Sequence, residues 1–329
     1  MDKGAAYRKK IEEEVARYRE VTNVHDLPNI FHYWSNKYLL PKLRRFGFDN
    51  AEQFYLGYMS RACLSAAEQS CNLLSVGAGN CETEISLAGQ LVASGYKNFL
   101  FECLDVNPHM LERGRGLAEQ HGVVQRMKFT NADINHWNSE RTYQVIIANH
   151  ALHHFLELEV LFSKIRQHLD ADGHFLTHDM IGRNGHMRWP ETLRLVESLW
   201  RSLPNRYKYN HQLKRLEIDF INWDCSQVGF EGIRAQDILP LLLDSFSFEL
   251  FVGWGGVTDI FIDRGFGHNF DSENEWDRNF IDRAHDLNER SLESGLTKPT
   301  QMVAAMTKSP GNIIRQDKHL SPYFCVRRL

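Results

Sequence analysis

A chain of 329 residues with 43% hydrophobic side chains is long enough for one elaborated domain or two modest ones around a sizeable core. Lysine and arginine total 38 against 42 acidic residues, and the resulting net charge of −4 gives no global pull toward phosphate backbones, which ranks nucleic acid low among partners. No run approaches the ~18 apolar residues of a membrane span, and the charged start from Met1 to Glu20 is unlike a signal peptide, so a cytoplasmic protein with no membrane partner is expected.

In chain order, Tyr7–Arg19 and Asn50–Ala67 carry helical spacing of apolar side chains, with Asp26-Leu27-Pro28 and Leu40-Pro41 breaking the run between them. Residues 1–70 therefore read as a helical prelude. Strand–turn–helix units follow: Asn72–Val76 with a helix from Glu82 to Ala93, Phe99–Leu104 with a helix from Pro108 to His121, and Tyr143–Ala148 with a helix from Leu156 to Leu169. A further strand, His174–His178, comes after the turn Asp170–Gly173. This alternation over 71–182 predicts a doubly wound, mostly parallel α/β sheet covered on both faces. Residues 183–236 interrupt it and read as a helical cap, with helices at Pro190–Leu203 and Tyr209–Phe220. Over 237–308 the sheet is completed by a strand at Phe248–Val252, helices at Val257–Gly265 and Glu275–Ser294, and a last strand at Thr300–Met306. The tail, 309–329, shows little periodicity and is expected to be loose or to pack on a partner. The six cysteines, Cys63, Cys71, Cys81, Cys103, Cys225 and Cys325, have no CxxC pairing, which argues against a zinc ribbon or a disulfide framework.

The turn Val76-Gly77-Ala78-Gly79-Asn80-Cys81-Glu82 places glycines where a strand must bend sharply into a helix and admit a ligand to the backbone. Glu82 and Glu84 in the first helical turn would repel a pyrophosphate, which disfavours an NAD-dependent dehydrogenase and favours a nucleoside without phosphates. Asp105, ending the second strand, is placed to accept both ribose hydroxyls. Asp133, at the end of the third strand, is placed to accept from an adenine amino group, with Val106 and Ile134 sandwiching the ring. The fourth strand delivers Asn149-His150-Ala151-Leu152-His153-His154 to the same rim. In the prelude, Phe31-His32-Tyr33-Trp34 could lid a cofactor, Trp34 offering its face to a cation, or could simply pack the helices onto the sheet.

Val76-Gly77-Ala78-Gly79, Asp105, Ala132-Asp133 and Asn149–His154, in this order over roughly residues 71–181, resemble the four motifs of class I S-adenosylmethionine-dependent methyltransferases. The resemblance implies a Rossmann-like sheet with an antiparallel last strand and S-adenosyl-L-methionine as cofactor. It implies that Gly77 and Gly79 approach the methionine part, that Asp105 binds the ribose and Asp133 the adenine, and that Asn149 and His150 wall the methionine moiety. Cys81 stands where a third glycine is frequent.

Methyl transfer is an in-line displacement, so the protein must align a nucleophile and, for a hydroxyl, take its proton. His154, His178 and Asp179 are the expected catalytic residues, with His153 at the same rim and Arg183, His186, Glu191 and His211 in the cap as further candidates. No compact ligand motif such as HExxH appears, so no metal is expected; His178, Asp179 and Glu191 or Asp224 are the groups that could hold Mg²⁺. The favoured acceptor is a small polar molecule, a sugar or natural-product hydroxyl or amine, beneath the cap. No Asn/Asp-Pro-Pro-Tyr/Phe tetrapeptide follows the fourth strand, and neither a basic surface nor a recognition domain supports an RNA or protein acceptor. A non-catalytic cofactor-binding scaffold is the other alternative. Trp189, Trp200, Tyr207, Tyr209 and Trp223 could enclose a substrate or bury a homodimer contact.

Overall fold

The computed structural model describes residues 3–17, 27–66, 70–227, 229–311 and 313–327. Helix α1 (Lys3–Arg17) is followed by α2 (Asn29–Trp34) and α3 (Leu40–Arg44), joined by a π turn over Ser35–Leu39, and by α4 (Ala51–Ala66). Leu40-Pro41 does not break the run as expected. Pro41 lies in the first turn of α3, where a missing N–H is tolerated, and the π turn carries the helical path into it. The expected helix end at Arg19, the Asp26 break and Ala67 lie outside the described residues.

The alternating region runs β1 (Cys71–Val76), α5 (Glu82–Ala93), β2 (Phe99–Asp105), α6 (Pro108–Gln120), β3 (Met127–Asn131), β4 (Tyr143–Asn149), α7 (Leu158–His168) and β5 (Leu169–Met180). Asn107 sets the start of α6: its Oδ1 accepts from the N–H groups of His109 and Met110, and Pro108 fills the first turn. The turn expected at Asp170–Gly173 is an irregularity inside β5, where Tyr143 pairs with Leu169 but Val145 pairs with His174. In the next segment α8 (Pro190–Ser202) forms, but the second expected helix does not. Strands β6 (Tyr209–Asn210) and β7 (Arg215–Leu216) make a hairpin there. The chain reverses between these strands with Lys214 in the left-handed region (φ 52°), which breaks a helical path, and the Asn210 Oδ1 accepts from the backbone of Gln212 and Leu213 within the turn.

The remaining elements are α9 (Ala235–Ser245), β8 (Ser247–Trp254), α10 (Asp259–Ile262), α11 (Glu275–Glu293), β9 (Gln301–Thr307), β10 (Arg315–Gln316) and α12 (Pro322–Cys325). The helix expected over Val257–Gly265 is cut to four residues because the chain folds back on it. Gly267 lies so close that a Cβ would stand 2.7 Å from the Ile262 carbonyl oxygen.

Eight strands form one sheet in the order β10-β8-β9-β5-β4-β1-β2-β3, with β9 antiparallel to both its neighbours. The antiparallel strand thus lies inside the sheet, and the tail supplies the strand beyond β8. Nor is the tail loose: Arg327 pairs with Glu191 at 2.8 Å, and Lys298 donates to the Phe324 carbonyl. Side chains alternate between two cores, Val145 and Ile147 entering one, Ile146 and Ala148 the other. Strand order reverses between β1 and β4, which opens a crevice at the carboxyl ends of these strands. Among the described residues no helix is long and apolar enough to cross a membrane.

Candidate active site

The turn after β1 holds three residues in the left-handed region, Gly77 (φ 70°), Gly79 (φ 55°) and Cys81 (φ 60°). At Gly77 glycine is required twice over, because a Cβ there would meet the Ala151 Cβ at 2.8 Å. Cys81, which departs from the glycine-rich pattern, is accommodated by α6. Gly114 leaves the space, and a Cβ on it would stand 3.1 Å from the Cys81 sulfur. Behind the turn, Glu84 is buried and accepts from the Ser75 hydroxyl at 2.7 Å; burial pushes its carboxyl up to about 7.

Asp105 braces this turn from β2. Its Oδ2 accepts from the Gly79 N–H at 2.8 Å and its Oδ1 from the Asn107 N–H at 2.8 Å. Asp133 lies two residues beyond β3, and its Oδ1 accepts from the Asn135 N–H at 2.9 Å. Helix α1 crosses above. Asn135 donates to the Tyr7 hydroxyl at 2.7 Å, and burial together with the Asp133 carboxylate raises the Tyr7 pKa far above its ordinary value.

Asn149 ends β4 with its Oδ1 accepting from the Tyr55 hydroxyl at 3.1 Å. His150 follows in a left-handed conformation (φ 49°), its ring 4.1 Å from that of His178 at the end of β5. His178 also flanks Trp254, and burial plus the neighbouring His150 holds its pKa well below the usual histidine value, so it is uncharged. Asp179, expected to be catalytic, points away from this space. It is fully buried, and its oxygens accept from the N–H groups of Ala151, Leu152 and Met180 and meet His153 Nδ1 at 2.6 Å. Burial would raise its pKa, but His153, His150 and the Leu152 amide more than offset this and hold it at about 2. It positions His153 and touches no ligand space.

The far side is built from 183–236. Glu231 Oε1 lies 2.7 Å from His186 Nε2 and 3.5 Å from His153 Nε2, and its Oε2 lies 3.7 Å from His154 Nε2. Burial would raise the Glu231 pKa; the imidazoles of His153 and His186 hold it far below the carboxylate range instead. His153 is buried, which disfavours its charge, yet the carboxylates of Asp179 and Glu231 on either side raise its pKa to about 10. Beside them Arg188 is buried, donates to the His186 carbonyl at 2.7 Å, and has no partner for its Nε among the described residues. One cavity of about 860 Å³ joins the glycine turn, Asp105 and Asp133 to His178, Arg188 and Glu231.

Residues 74–175 match the family model described as a methyltransferase domain. With the ordered motifs and this sheet topology, the match decides the assignment. Over residues 74–175 the chain carries a methyltransferase domain. No curated protein matches the chain. Among solved structures it is similar to an O-methyltransferase from a trans-AT PKS multienzyme of Brevibacillus brevis, in complex with S-adenosyl-L-homocysteine (13% identity, 88% of this chain and 86% of that one, TM-score 0.45). It is also similar to the StiE O-MT, residues 942–1257 (12% identity, 91% and 90%, TM-score 0.47). A third is geranyl diphosphate C-methyltransferase from Streptomyces coelicolor A3(2) with Mg²⁺, geranyl diphosphate and S-adenosyl-L-homocysteine (11% identity, 91% and 98%, TM-score 0.45).

Within the methyltransferase domain and its flanks, several expected residues are engaged with other partners. Trp34 borders the cavity but is 4% exposed, and its indole N–H donates to His285 Nδ1 at 3.2 Å, so it packs the prelude against α11. Glu191 is spent on Arg327, Asp224 accepts from Ser226, and His211 pairs with Asn269. With Asp179 saturated as well, the Mg²⁺ set of His178, Asp179 and Glu191 or Asp224 does not assemble. None of the five cap aromatics borders the cavity: Trp200 and Tyr207 are core, Trp189 stacks with Arg183 and Arg327, and Tyr209 and Trp223 are exposed. Sequence reading missed Glu231, Arg188, Trp254 and the α1 face. Only Glu231 carries a local signal, a carboxylate flanked by Gly229 and Gly232 in a turn.

Proposed function

We propose that the methyltransferase moves the methyl group of S-adenosylmethionine to a hydroxyl or amine of a small polar acceptor held under residues 183–236. The observation that carries this reading is the continuity of the cavity, with one half at the carboxyl ends of β1 to β3, lined by the glycine turn, Asp105 and Asp133, and a histidine-, arginine- and glutamate-lined half under the cap. In the first half, Asp105 takes the ribose hydroxyls and Asp133 the adenine amino group, with Val106 and Ile134 on the ring faces. Gly77, Ala78 and Gly79 let the methionine part lie on the backbone, and Asn149 and His150 flank it. In the second half, the Arg188 guanidinium lines the cavity beside Glu231 and the histidines and offers positive charge to a polar acceptor.

S-adenosylmethionine held by these residues would supply an activated methyl group for displacement by the acceptor, with S-adenosylhomocysteine as the leaving product. Uncharged His178 receives the hydroxyl proton. Calorimetric titration with S-adenosylmethionine, S-adenosylhomocysteine and NAD⁺, repeated on Asp105→Ala, tests the cofactor half. Both adenosyl ligands should bind, at least tenfold more weakly in the variant. Transfer of labelled methyl to sugars, phenols and amines, against RNA and protein, then identifies the acceptor class. Binding of NAD⁺ alone, or of nothing, defeats the reading.

A further inference from the structure

We propose that His153, His186 and Glu231 form a binding site for one divalent transition-metal ion, of the Zn²⁺ or Co²⁺ type, in the acceptor half of the cavity. As a role for the metal this rests on the methyltransferase reading, but the binding itself does not. The donor atoms of these three side chains all lie within 4.8 Å of one another. Ligands of a tetrahedral zinc, each about 2.05 Å from the ion, stand about 3.4 Å apart. The His153 Nε2 to Glu231 Oε1 distance is already 3.5 Å, while His186 Nε2 and Glu231 Oε1, at 2.7 Å, need only open slightly.

Two features beyond proximity support a metal. First, Asp179 grips His153 Nδ1 at 2.6 Å and is itself fixed by three backbone N–H groups, which turns Nε2 toward Glu231. A carboxylate on the remote nitrogen of an imidazole is the arrangement that orients metal-bound histidines and raises their basicity. Second, the three ligand loops are tied together by backbone. Gly185 N–H donates to Gly232 O at 2.9 Å and Ile233 N–H to His153 O at 3.2 Å. His186 is held at φ 55° between these glycines, a conformation costing roughly 1 kcal/mol or more for a side chain with a Cβ. A Cβ on Gly232 would lie 3.0 Å from His186 Cε1. Strain of this kind persists where the surroundings enforce a geometry.

Two imidazoles and one carboxylate favour zinc-like ions over Mg²⁺ or Ca²⁺, which prefer oxygen donors. Three protein ligands leave a fourth position open, and all three side chains line the cavity. An acceptor oxygen would occupy it, so the acceptor class narrows to molecules whose methylated or adjacent group is a metal-binding oxygen.

The test uses the full chain stripped with chelator, then titrated with Zn²⁺, Co²⁺ and Mg²⁺ by calorimetry, with the Co²⁺ absorption spectrum recorded. Expected are one equivalent of Zn²⁺ or Co²⁺ per chain, a four- or five-coordinate Co²⁺ spectrum, and no comparable Mg²⁺ binding. Glu231→Gln and His186→Ala should each weaken Zn²⁺ at least 100-fold, and Asp179→Asn by 10–100-fold, with circular dichroism confirming the fold of each. Absence of stoichiometric Zn²⁺ and Co²⁺ binding overturns the site, as does binding that survives both Glu231→Gln and His186→Ala. S-adenosylhomocysteine binding is measured separately in chelator, so failure of the cofactor reading and failure of the metal site give different patterns.

Discussion

His153 Nδ1 and Asp179 Oδ1 lie 2.6 Å apart across the ends of β4 and β5, 26 residues apart in sequence and both shut off from solvent. The contact does more than orient one ring. Asp179 also takes the N–H groups of Ala151 and Leu152, so a single carboxylate fixes the loop that packs on Gly77 and the histidine that faces Glu231.

Replacement of Asp179 by alanine leaves two loop amides and an imidazole without their acceptor. Removing one partner of such a buried set costs about 3–5 kcal/mol. Urea unfolding should show that loss, and S-adenosylhomocysteine should bind more weakly because the loop against Gly77 moves. A stability within 1 kcal/mol of wild type, on the scale set by buried polar deletions, would mean the carboxylate is dispensable.

Gly77 and Gly79 should behave differently although both have positive φ. In Gly77→Ala the new methyl meets Ala151 Cβ at 2.8 Å, with backbone on both sides to hold the clash. In Gly79→Ala it meets Met110 Cε at 3.2 Å, the far end of a flexible side chain. We expect about 1–2 kcal/mol of strain for the latter and roughly 1–3 kcal/mol of overpacking in addition for the former. Paired melts and S-adenosylhomocysteine titrations decide this, and equal effects would contradict the packing difference.

The glycine turn, Asp105 and the ends of β1 and β4 were legible because they depend on local chemistry: strand period, glycine at positive φ, a carboxylate closing a strand. The Tyr209–Asn210 hairpin was not, since Lys214 there takes a left-handed conformation and Asn210 pairs with Arg215, neither of which residue spacing reveals. Asp179 reads in sequence as a residue of the pocket rim, yet alternation turns it into the opposite core while His178 faces the cavity. Glu231 comes from a segment without a regular period, and only tertiary contact brings it to His153 and His186.

His178→Asn should lower kcat by about 10²–10⁴, the usual contribution of a positioned base, while S-adenosylhomocysteine affinity stays within about threefold, as expected for a group acting on the acceptor's proton. Because burial and His150 depress its pKa, wild-type kcat should not fall on the acid side until below the ordinary histidine value of about 6.5. Loss of activity with a midpoint above that value would assign the proton to another group.

Glu84 gives the clearest pH signature. Its carboxyl titrates near 7 in the fold, raised by burial from an ordinary 4.5. Between these values the unfolded chain releases the proton while the folded chain keeps it, so stability falls as pH rises through this window and stays reduced above it. At about 1.4 kcal/mol per unit the deficit is on the order of 3–4 kcal/mol. Glu84→Gln cannot ionise and can still accept from Ser75, so urea unfolding at pH 5, 6, 7 and 8 should find it increasingly more stable than wild type. The same carboxyl borders the cavity, and the cationic cofactor favours its ionised form. S-adenosylmethionine affinity should therefore rise with pH over this window in wild type and remain flat in the variant; parallel profiles in the two proteins would show that Glu84 does not titrate there.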